Sequence, residues 1–286
     1  LPGKIFYKNK FIDSNLATLH VLSHSLHFAS AVFEGIRVYN YKPFFLESHL
    51  KRLIDSCEIM MVNPPYIQKE ISDLCIELIK KNKLKNGYIR PIIFKGPGSM
   101  APESINCKAE IAIAGWEWKS LFNNKNSIKL NLSKWRKPDA KVFPVKAKSS
   151  GSYQISTLAK NEALAKGYDD SLMLDSKNYI AEGTACNIFW RIKDTIYTPD
   201  THSILNGITR RVVIKIIEKL KLPLKVGNFS LNAFIKADEV FFTGTAAEVM
   251  NIASLDNYLF KSNEFTNLLK EEFNLLKEKE EIKLDD

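Results

Sequence analysis

The sequence predicts an α+β fold divided into two domains, and three observations lead to this prediction. The first part of the chain alternates short strand patterns with amphipathic helix patterns. The segment LFNNKNS over residues 121–127 is polar and rich in asparagine, as a linker is. The chain has 286 residues, of which 45% are hydrophobic, enough to form the cores of one or two domains. We therefore expect a small N-terminal domain over residues 1–120, a linker over 121–127 and a large domain over 128–286.

The N-terminal part is predicted to contain hairpins, two longer helices and antiparallel strands. Leu50, Leu53 and Cys57 recur at helical spacing, so their segment is predicted to form an amphipathic helix. Pro64 and Pro65 then end that pattern. The predicted elements are a hairpin over residues 4–21 with a second edge at 17–22, a short helix over 27–34, a hairpin over 36–46, helices over 47–60 and 68–81, and strands over 87–95 and 108–116.

The C-terminal part is predicted to alternate strands with helices. A loop broken by prolines runs to Pro144, and a charged helical pattern occupies the end of the chain. The predicted elements are a strand over residues 128–132, a helix over 153–166, a strand pair over 171–175 and 187–192, a helix over 210–220, a strand over 239–243 and a helix over 264–279.

The composition argues against several classes of protein. No apolar run is long enough to span a bilayer, and no basic and then apolar leader follows Leu1, so we expect a cytoplasmic protein with no membrane partner. The 4 cysteines are scattered without CxxC spacing, which fits free thiols in a reducing compartment. The formal charge is +9, but the 41 Lys and Arg residues are spread along the whole chain, so we expect no nucleic-acid partner.

One segment contains three residues with distinct chemistry. In KSSGSYQISTLAKNEA, Lys148 precedes Tyr153, and IAEGTACNIFW follows with Glu182. A lysine amine can form a Schiff base with an aldehyde, a phenol can hydrogen-bond a ring oxygen, and a carboxylate can keep a pyridine nitrogen protonated. Enzymes that use pyridoxal phosphate need these three groups. Taken alone, the same residues also fit a surface lysine, a core tyrosine and a capping glutamate.

Further motifs occur along most of the chain. From about Leu26 to Val249 it contains, in order, HFASAVFEGIRVY, SHLKRL, YIRP, WEW, the Lys148 and Glu182 segments, LNGITRR and FFTGTAAEV. With these motifs the chain strongly resembles the fold-type IV aminotransferases, and within them the branched-chain amino acid aminotransferases. The resemblance implies pyridoxal 5'-phosphate as the cofactor, with no metal. It also implies a smaller N-terminal α/β sandwich domain and a larger C-terminal pseudo-barrel domain.

The resemblance assigns the catalytic lysine and two contacts to the cofactor ring. Lys148 matches the Schiff-base lysine, because it fits the family's Lys-x-x-Gly-x-Tyr pattern and the nearby Lys146 does not. Its amine, once displaced by substrate, can carry a proton from the substrate Cα to the cofactor C4′. Glu182, in the EG-x-x-x-N pattern, matches the residue that contacts the pyridine nitrogen. Tyr153 matches the residue that hydrogen-bonds the ring hydroxyl.

The cofactor phosphate is expected to need positive charge and backbone N–H donors. Arg52, in HLKRL, matches the family's phosphate arginine, and a guanidinium suits bidentate binding. The GIT segment precedes a helix, so its N–H groups can bind phosphate at a helix N-terminus. The remaining residues expected to bind the cofactor are Leu205, Gly207, Ile208, Thr209 and Thr245.

The resemblance also assigns the substrate-binding residues. Aromatic side chains are expected to form an apolar pocket, and cationic or hydroxyl groups are expected to bind carboxylates. The small residues that follow the glycine of FFTGTAAEV are expected to let backbone N–H groups hold an α-carboxylate. The expected substrate residues are Phe33, Arg37, Tyr88, Arg90, Trp118, Thr245, Ala246 and Ala247, and Tyr153 also matches an apolar pocket position.

The chain departs from the better-known family pattern at two positions. Phe28 and Leu121 stand where many relatives have tyrosines whose hydroxyls help to bind the side-chain carboxylate of glutamate. Neither side chain here can donate a hydrogen bond. We therefore expect Arg90, and to a lesser extent Arg37, to bind that carboxylate.

The motifs together predict transfer of an amino group between leucine, isoleucine or valine and 2-oxoglutarate. The family forms homodimers or multiples of dimers, so we expect a homo-oligomer. The nearest alternative is a D-amino acid or (R)-amine transaminase of the same fold, which VFEGIRVY argues against. Aminodeoxychorismate lyase is a weaker alternative. A basic nucleic-acid-binding protein would need a clustered basic face, which the sequence does not predict.

Overall fold

The computed structural model describes residues 3–123, 125–280 and 282–284. It contains two compact units. The first runs to Lys119 and also includes Ala147–Ser152, and the second comprises Ser120–Lys146 and the chain from Tyr153 onward. Residues 1 and 286, which bound the predicted domains, and Asn124 of the predicted linker lie outside the described residues. The predicted domain bounds and linker therefore stay predictions.

The first unit is built on an antiparallel sheet of seven strands in the order β2-β1-β7-β6-β4-β5, with β3 paired to β6. A short helix and two longer helices accompany the sheet. The strands are β1 Lys4–Tyr7, β2 Lys10–Asp13, β3 Ala31–Phe33, β4 Ile36–Tyr39, β5 Lys42–Pro43, β6 Gly87–Lys95 and β7 Ala109–Trp116, and the helices are α1 His24–Phe28, α2 Leu46–Ile59 and α3 Gln68–Lys81.

The two longer helices supply much of this unit's core. Leu50, Leu53 and Cys57 of α2 are fully buried, as their helical spacing predicted. Ile71 and Leu78 of α3 are also fully buried. The predicted bounds of both helices are confirmed to within one residue, since one apolar face per helix is a strong local signal.

Two predictions for this unit are wrong. The predicted helix over 27–34 is instead the end of α1 followed by β3, because Ala29 has a left-handed φ of +53° that stops the helix. Ala31 then pairs with Phe94 of β6, a partner far away in sequence. The predicted second edge over 17–22 is not a strand, and a short 3-10 turn precedes it at Ser14–Leu16.

The second unit is built around a closed barrel. Strands β8, β9, β10, β11, β14 and β15 form a ring, since β10 pairs with both β9 and β11 and β8 pairs with both β9 and β15. The elements are β8 Ser127–Lys137, α4 Tyr153–Ala165, β9 Asp170–Asp175, β10 Ile180–Glu182, β11 Asn187–Ile192, β12 Thr195–Pro199, α5 Ile208–Lys219, β13 Leu224–Gly227, α6 Leu231–Phe234, β14 Glu239–Gly244, β15 Glu248–Leu255, β16 Tyr258–Leu259 and α7 Glu264–Glu278. The α+β class and the pseudo-barrel are thus confirmed.

The barrel corrects one strand prediction and extends others. Strands β9 and β11 were expected to pair with each other, but the short β10 lies between them. Strand β8 continues five residues beyond the predicted Leu132, to Lys137. The helices α4, α5 and α7 were predicted to within two residues at each end.

The state of the cysteines agrees with the expectation of free thiols. All four cysteines are buried free thiols. None of the helices in the described part of the chain is both long and apolar enough to cross a membrane.

Candidate active site

Lys148 lies in the first unit, on a segment that runs alongside β3. Its backbone N–H donates to Ser56 Oγ of α2 at 3.0 Å, and its carbonyl accepts from Phe33 N–H at 3.1 Å. Ser149 forms an isolated bridge with Val32 of the same strand. These contacts fix the lysine backbone against a strand and a helix that are both part of the unit's core.

A buried carboxylate organises the charges in the first unit. Glu34 follows β3 and is completely buried. Its oxygens accept from Arg52 Nε at 2.6 Å and Nη2 at 2.9 Å, and His49 Nδ1 lies 2.7 Å from Oε2. Although burial opposes it, the nearby Arg52 and His49 hold the pKa of Glu34 well below its usual range. Arg52 therefore presents its guanidinium in a fixed bidentate geometry.

The Lys148 amine is unusually easy to deprotonate. Burial lowers the pKa of Lys148 to about 8, with Arg52 and Arg90 acting in the same direction and Glu34 against it. Its Nζ lies 4.9 Å from the centroid of the Phe33 ring. Lys146, by contrast, is exposed. The lysine that the motif favours thus has a lowered pKa in the structure.

Most of the predicted substrate residues of the first unit lie close together. The Arg90 guanidinium lies 4.7 Å from the Phe33 ring centroid and donates to Tyr88 Oη at 3.2 Å. The Tyr88 ring packs edge-on against Trp118, with centroids 4.9 Å apart. Arg90 Nε is buried and has no hydrogen-bond partner among the described residues. An arginine with an unused buried donor beside aromatic rings is suited to binding a carboxylate.

Two further residues contact this cluster of side chains. Gly35 leaves space for Tyr88, since an added Cβ would lie 1.6 Å from the tyrosine Oη. Arg37 is buried and donates to the carbonyl oxygens of Trp118 and Lys119. Its contacts hold the Trp118 segment against β4. A role for Arg37 in binding substrate stays a prediction.

Glu182 lies in the second unit, at the end of β10, and both of its oxygens have partners. Lys137 Nζ lies 2.8 Å from Oε1, and Asn187 Nδ2 donates to Oε2 at 3.0 Å. Glu182 and Asn187 are register partners on adjacent strands, and Asn187 is next to Thr243 of β14. The barrel therefore places these groups side by side.

The prediction from the sequence did not include Lys137 and Asn187 among the site residues. Asn187 ends the EG-x-x-x-N pattern and could have been found there. Lys137 is the last residue of β8, whereas the strand predicted from the sequence ended at Leu132. No motif includes Lys137. Its proximity to Glu182 arises only from the pairing of β8, β9 and β10.

The predicted phosphate segment lies at the start of α5. Gly207 is the N-cap of this helix, and an added Cβ there would lie 2.2 Å from Asn187 Oδ1. Asn187 Nδ2 also donates to Leu205 O at 2.9 Å. Leu205 and Gly207 thus contact the residue that holds Glu182, and Ile208 and Thr209 are the first two residues of α5.

The other predicted residues of this unit lie on two elements. Thr245, Ala246 and Ala247 form the turn between β14 and β15, two residues beyond Thr243. Tyr153 is the first residue of α4. Its phenol is near enough to raise the pKa of Lys137. Its bond to the ring hydroxyl of the cofactor stays a prediction.

The residues present fit pyridoxal phosphate. The first unit offers an amine with a lowered pKa and a fixed guanidinium. The second unit offers a buried carboxylate and a glycine-capped helix N-terminus. An aldehyde, a phosphate and a pyridine nitrogen require these kinds of group.

Comparisons with known proteins agree with this chemistry. The family model of class IV amino-transferases matches residues 31–255. The chain is 36% identical over 261 residues to a branched-chain-amino-acid aminotransferase of Pseudomonas aeruginosa, covering 89% of this chain and 85% of that one. A crystal structure of the branched-chain aminotransferase of Thermoproteus uzoniensis with norvaline superposes with a TM-score of 0.93 at 32% identity, covering 98% of this chain and 96% of that one.

A second structure carries a cofactor derivative. It is a T.th. branched-chain amino acid aminotransferase complexed with N-(5'-phosphopyridoxyl)-L-glutamate, with a TM-score of 0.92 at 34% identity, covering 96% of this chain and 94% of that one. The chain is therefore a transaminase of the pyridoxal phosphate-dependent class. It belongs to the class IV aminotransferase family and, within it, to the branched-chain amino acid aminotransferases.

The lowered pKa of Lys148 predicts how the apoenzyme captures its cofactor. Only the neutral amine attacks the aldehyde, so the capture rate should rise with pH and level off above a midpoint near 8. An ordinary lysine would titrate near ~10.4. Stopped-flow absorbance of apoenzyme mixed with pyridoxal phosphate measures this rate, with Lys148→Ala as the control that forms no covalent chromophore. A capture rate that keeps rising with pH to the midpoint of an ordinary lysine would contradict the prediction.

Proposed function

We propose that this chain transfers an amino group between leucine, isoleucine or valine and 2-oxoglutarate, with Lys148 as the catalytic residue. The observation that carries the proposal is Lys148, whose backbone is hydrogen-bonded to Phe33 and Ser56. Its amine lies 4.9 Å from the Phe33 ring centroid and has a pKa of about 8. Bound pyridoxal phosphate supplies an aldehyde for the amino group and a ring that withdraws electrons. The branched-chain aminotransferases with which it shares a fold support this choice over a D-amino acid transaminase.

The proton transfers are assigned to Lys148. A lysine with a pKa near 8 exists in both protonation states at neutral pH, so it can accept a proton from the substrate Cα and release it again. Arg52, whose guanidinium is oriented by Glu34, is proposed to bind the phosphate, because it matches the family's phosphate arginine and a guanidinium suits phosphate binding. Glu182 is proposed to accept from the pyridine N–H.

The remaining cofactor contacts are proposed in the second unit. The N-terminus of α5 offers backbone donors to an anion, and the absence of a side chain at Gly207 lets Asn187 lie close to this terminus. Tyr153 is proposed to bond the ring hydroxyl. The proposed cofactor contacts there are Leu205, Gly207, Ile208, Thr209 and Thr245.

The substrate side chain is proposed to lie among the aromatic residues of the first unit. Phe33, Tyr88 and Trp118 provide apolar surface, and Arg90 provides the charge that a glutamate carboxylate needs. Burying that carboxylate without donors would be costly. The turn at Thr245–Ala247 is proposed to bind the α-carboxylate through backbone N–H groups.

We also propose that the chain forms a homo-oligomer. Several large apolar side chains of the first unit are exposed near one segment, including Val21 at 66%, Leu26 at 59% and Ile105 at 89%. His24 links this segment to the loop that carries Ile105, since its Nε2 lies 3.1 Å from Ala101 O. Exposed apolar groups of this kind are typical of an interaction surface. A cytoplasmic location stays a prediction.

The proposed reaction is tested with the Lys148→Ala variant. It should lose turnover of leucine with 2-oxoglutarate while keeping the wild-type circular dichroism, because its amine is the only one expected to bond the cofactor. Borohydride reduction of the wild-type holoenzyme should attach the cofactor to the peptide containing Lys148. Attachment at Lys146, or turnover by Lys148→Ala near the wild-type rate, would contradict the assignment.

Arg90→Ala is predicted to impair one half-reaction more than the other. Losing a charged hydrogen bond costs roughly 1.5–3 kcal/mol, so the 2-oxoglutarate half-reaction should slow about ten- to a hundredfold. The leucine half-reaction should change much less, since an apolar side chain needs no donor. Single-turnover spectra of the two half-reactions measure both rates. Equal losses would mean that Arg90 is structural or binds the α-carboxylate, with Arg37 the next candidate.

Introducing charge on the exposed apolar segment should weaken the oligomer. Wild-type enzyme should sediment as a multiple of one chain, and Val21→Asp with Leu26→Asp should shift it toward the monomer, because a buried unpaired charge disfavours association. Leu259→Asp, which changes a side chain 74% exposed in the second unit, is the matched control. A wild-type enzyme that sediments as a monomer would contradict the proposal.

A further inference from the structure

Lys137 is a buried lysine that has no role in the proposed reaction as described above. It ends β8, and its Nζ lies 2.8 Å from Glu182 Oε1. Only 10% of the Lys137 side chain and 8% of the Glu182 side chain are exposed. The pair is therefore largely shielded from water, where a charge interacts strongly with its neighbours.

The second oxygen of Glu182 is held from the opposite direction. Asn187 Nδ2 donates to Oε2 at 3.0 Å, and the same amide group donates to Leu205 O at 2.9 Å. With one partner at each oxygen, the carboxylate has a fixed position and a fixed plane. Each carboxylate oxygen has two lone pairs, so Oε2 can accept a further N–H.

The charged groups around Lys137 keep it protonated. Burial lowers its pKa, but the Glu182 carboxylate outweighs burial and raises it, with Tyr153 acting in the same direction. A raised pKa means that the ammonium persists throughout the neutral range. Arg210 is a second cation that interacts with Glu182, whose charge raises the pKa of Arg210 against the lowering effect of burial.

We propose that Lys137 is a positioning residue that holds the negative charge and the orientation of Glu182, so that Glu182 keeps the pyridine nitrogen of the bound cofactor protonated. This inference rests on the role of Glu182 in the proposed function. The ammonium contacts the carboxylate directly, so it stabilises the carboxylate charge more than it disfavours charge on a group bonded to the other oxygen. Without Lys137, a buried carboxylate would compete for the proton.

The alternative is that the ion pair serves only the fold. Stability cannot separate the two roles, because replacing a buried ion pair with apolar groups is often neutral, whereas leaving one partner unpaired is destabilising. The protonation state of the ring nitrogen separates them, since a purely structural partner would not change it.

The experiment uses holoenzyme loaded with pyridoxal phosphate that carries ¹⁵N in the ring. The nitrogen resonance reports whether the ring is protonated. Lys137→Met removes the charge at similar length, and Lys137→Arg retains it. Lys160→Met is the matched control, because Lys160 also pairs with a buried carboxylate, Asp170, at 3.0 Å. Glu182→Gln gives the resonance expected when the carboxylate charge is lost.

The proposal predicts that Lys137→Met and Glu182→Gln both move the resonance toward the unprotonated value. Lys137→Arg and Lys160→Met should stay at the wild-type value. The kcat of Lys137→Met should fall about ten- to a hundredfold, with a much smaller change in KM, because the loss affects ring protonation and not substrate binding. Lys137→Arg should recover most of the kcat.

Two results would overturn the inference, and they can be told apart. If Glu182→Gln moves the resonance but Lys137→Met does not, Lys137 is a structural partner and the proposed function stands. If Glu182→Gln itself leaves the resonance unchanged, the proposed role of Glu182 fails and the inference fails with it. Should circular dichroism show that Lys137→Met is unfolded, Lys137→Gln, which keeps a polar group in place, undergoes the same test.

Discussion

The buried carboxylate of Glu34 is the constraint on which the first unit depends. A buried charge is tolerated only when partners surround it, and Glu34 has Arg52, His49 and the backbone N–H of Gly35. Removing one partner from such a network costs roughly 3–5 kcal/mol. Burial lowers the pKa of Lys148, and the same network adjusts that pKa, since Glu34 raises it while Arg52 lowers it.

In the second unit, the closed barrel places partners around the buried carboxylate of Glu182. Short β10 lies between β9 and β11, so Glu182 and Asn187 face each other as register partners. The parallel strand β8 then brings Lys137 within 2.8 Å of Glu182. A closed sheet leaves no free edge, so these strand ends cannot slide relative to one another. Strand register therefore determines which charges meet.

Buried and exposed ion pairs have different consequences in this protein. The pair of Lys69 and Asp73 on α3 is exposed at both ends, and a pair of this kind contributes little to stability. The pairs at Glu34 and Glu182 are buried and hydrogen-bonded on both oxygens. Each pair fixes the position and the charge of its carboxylate. In both cases the carboxylate is held by a cation and by a second donor.

The sequence by itself determined the α+β class, the family, and the helices α2, α3, α4, α5 and α7, because amphipathic periodicity and motifs are local signals. It also identified Lys148 as a candidate from its pattern. Only the tertiary structure decided that Ala31–Phe33 is a strand, that β10 separates β9 from β11, that Lys137 contacts Glu182, and that the pKa of Lys148 falls to about 8. Strand partners, burial and nearby charges come from residues distant in sequence, so no local pattern records them.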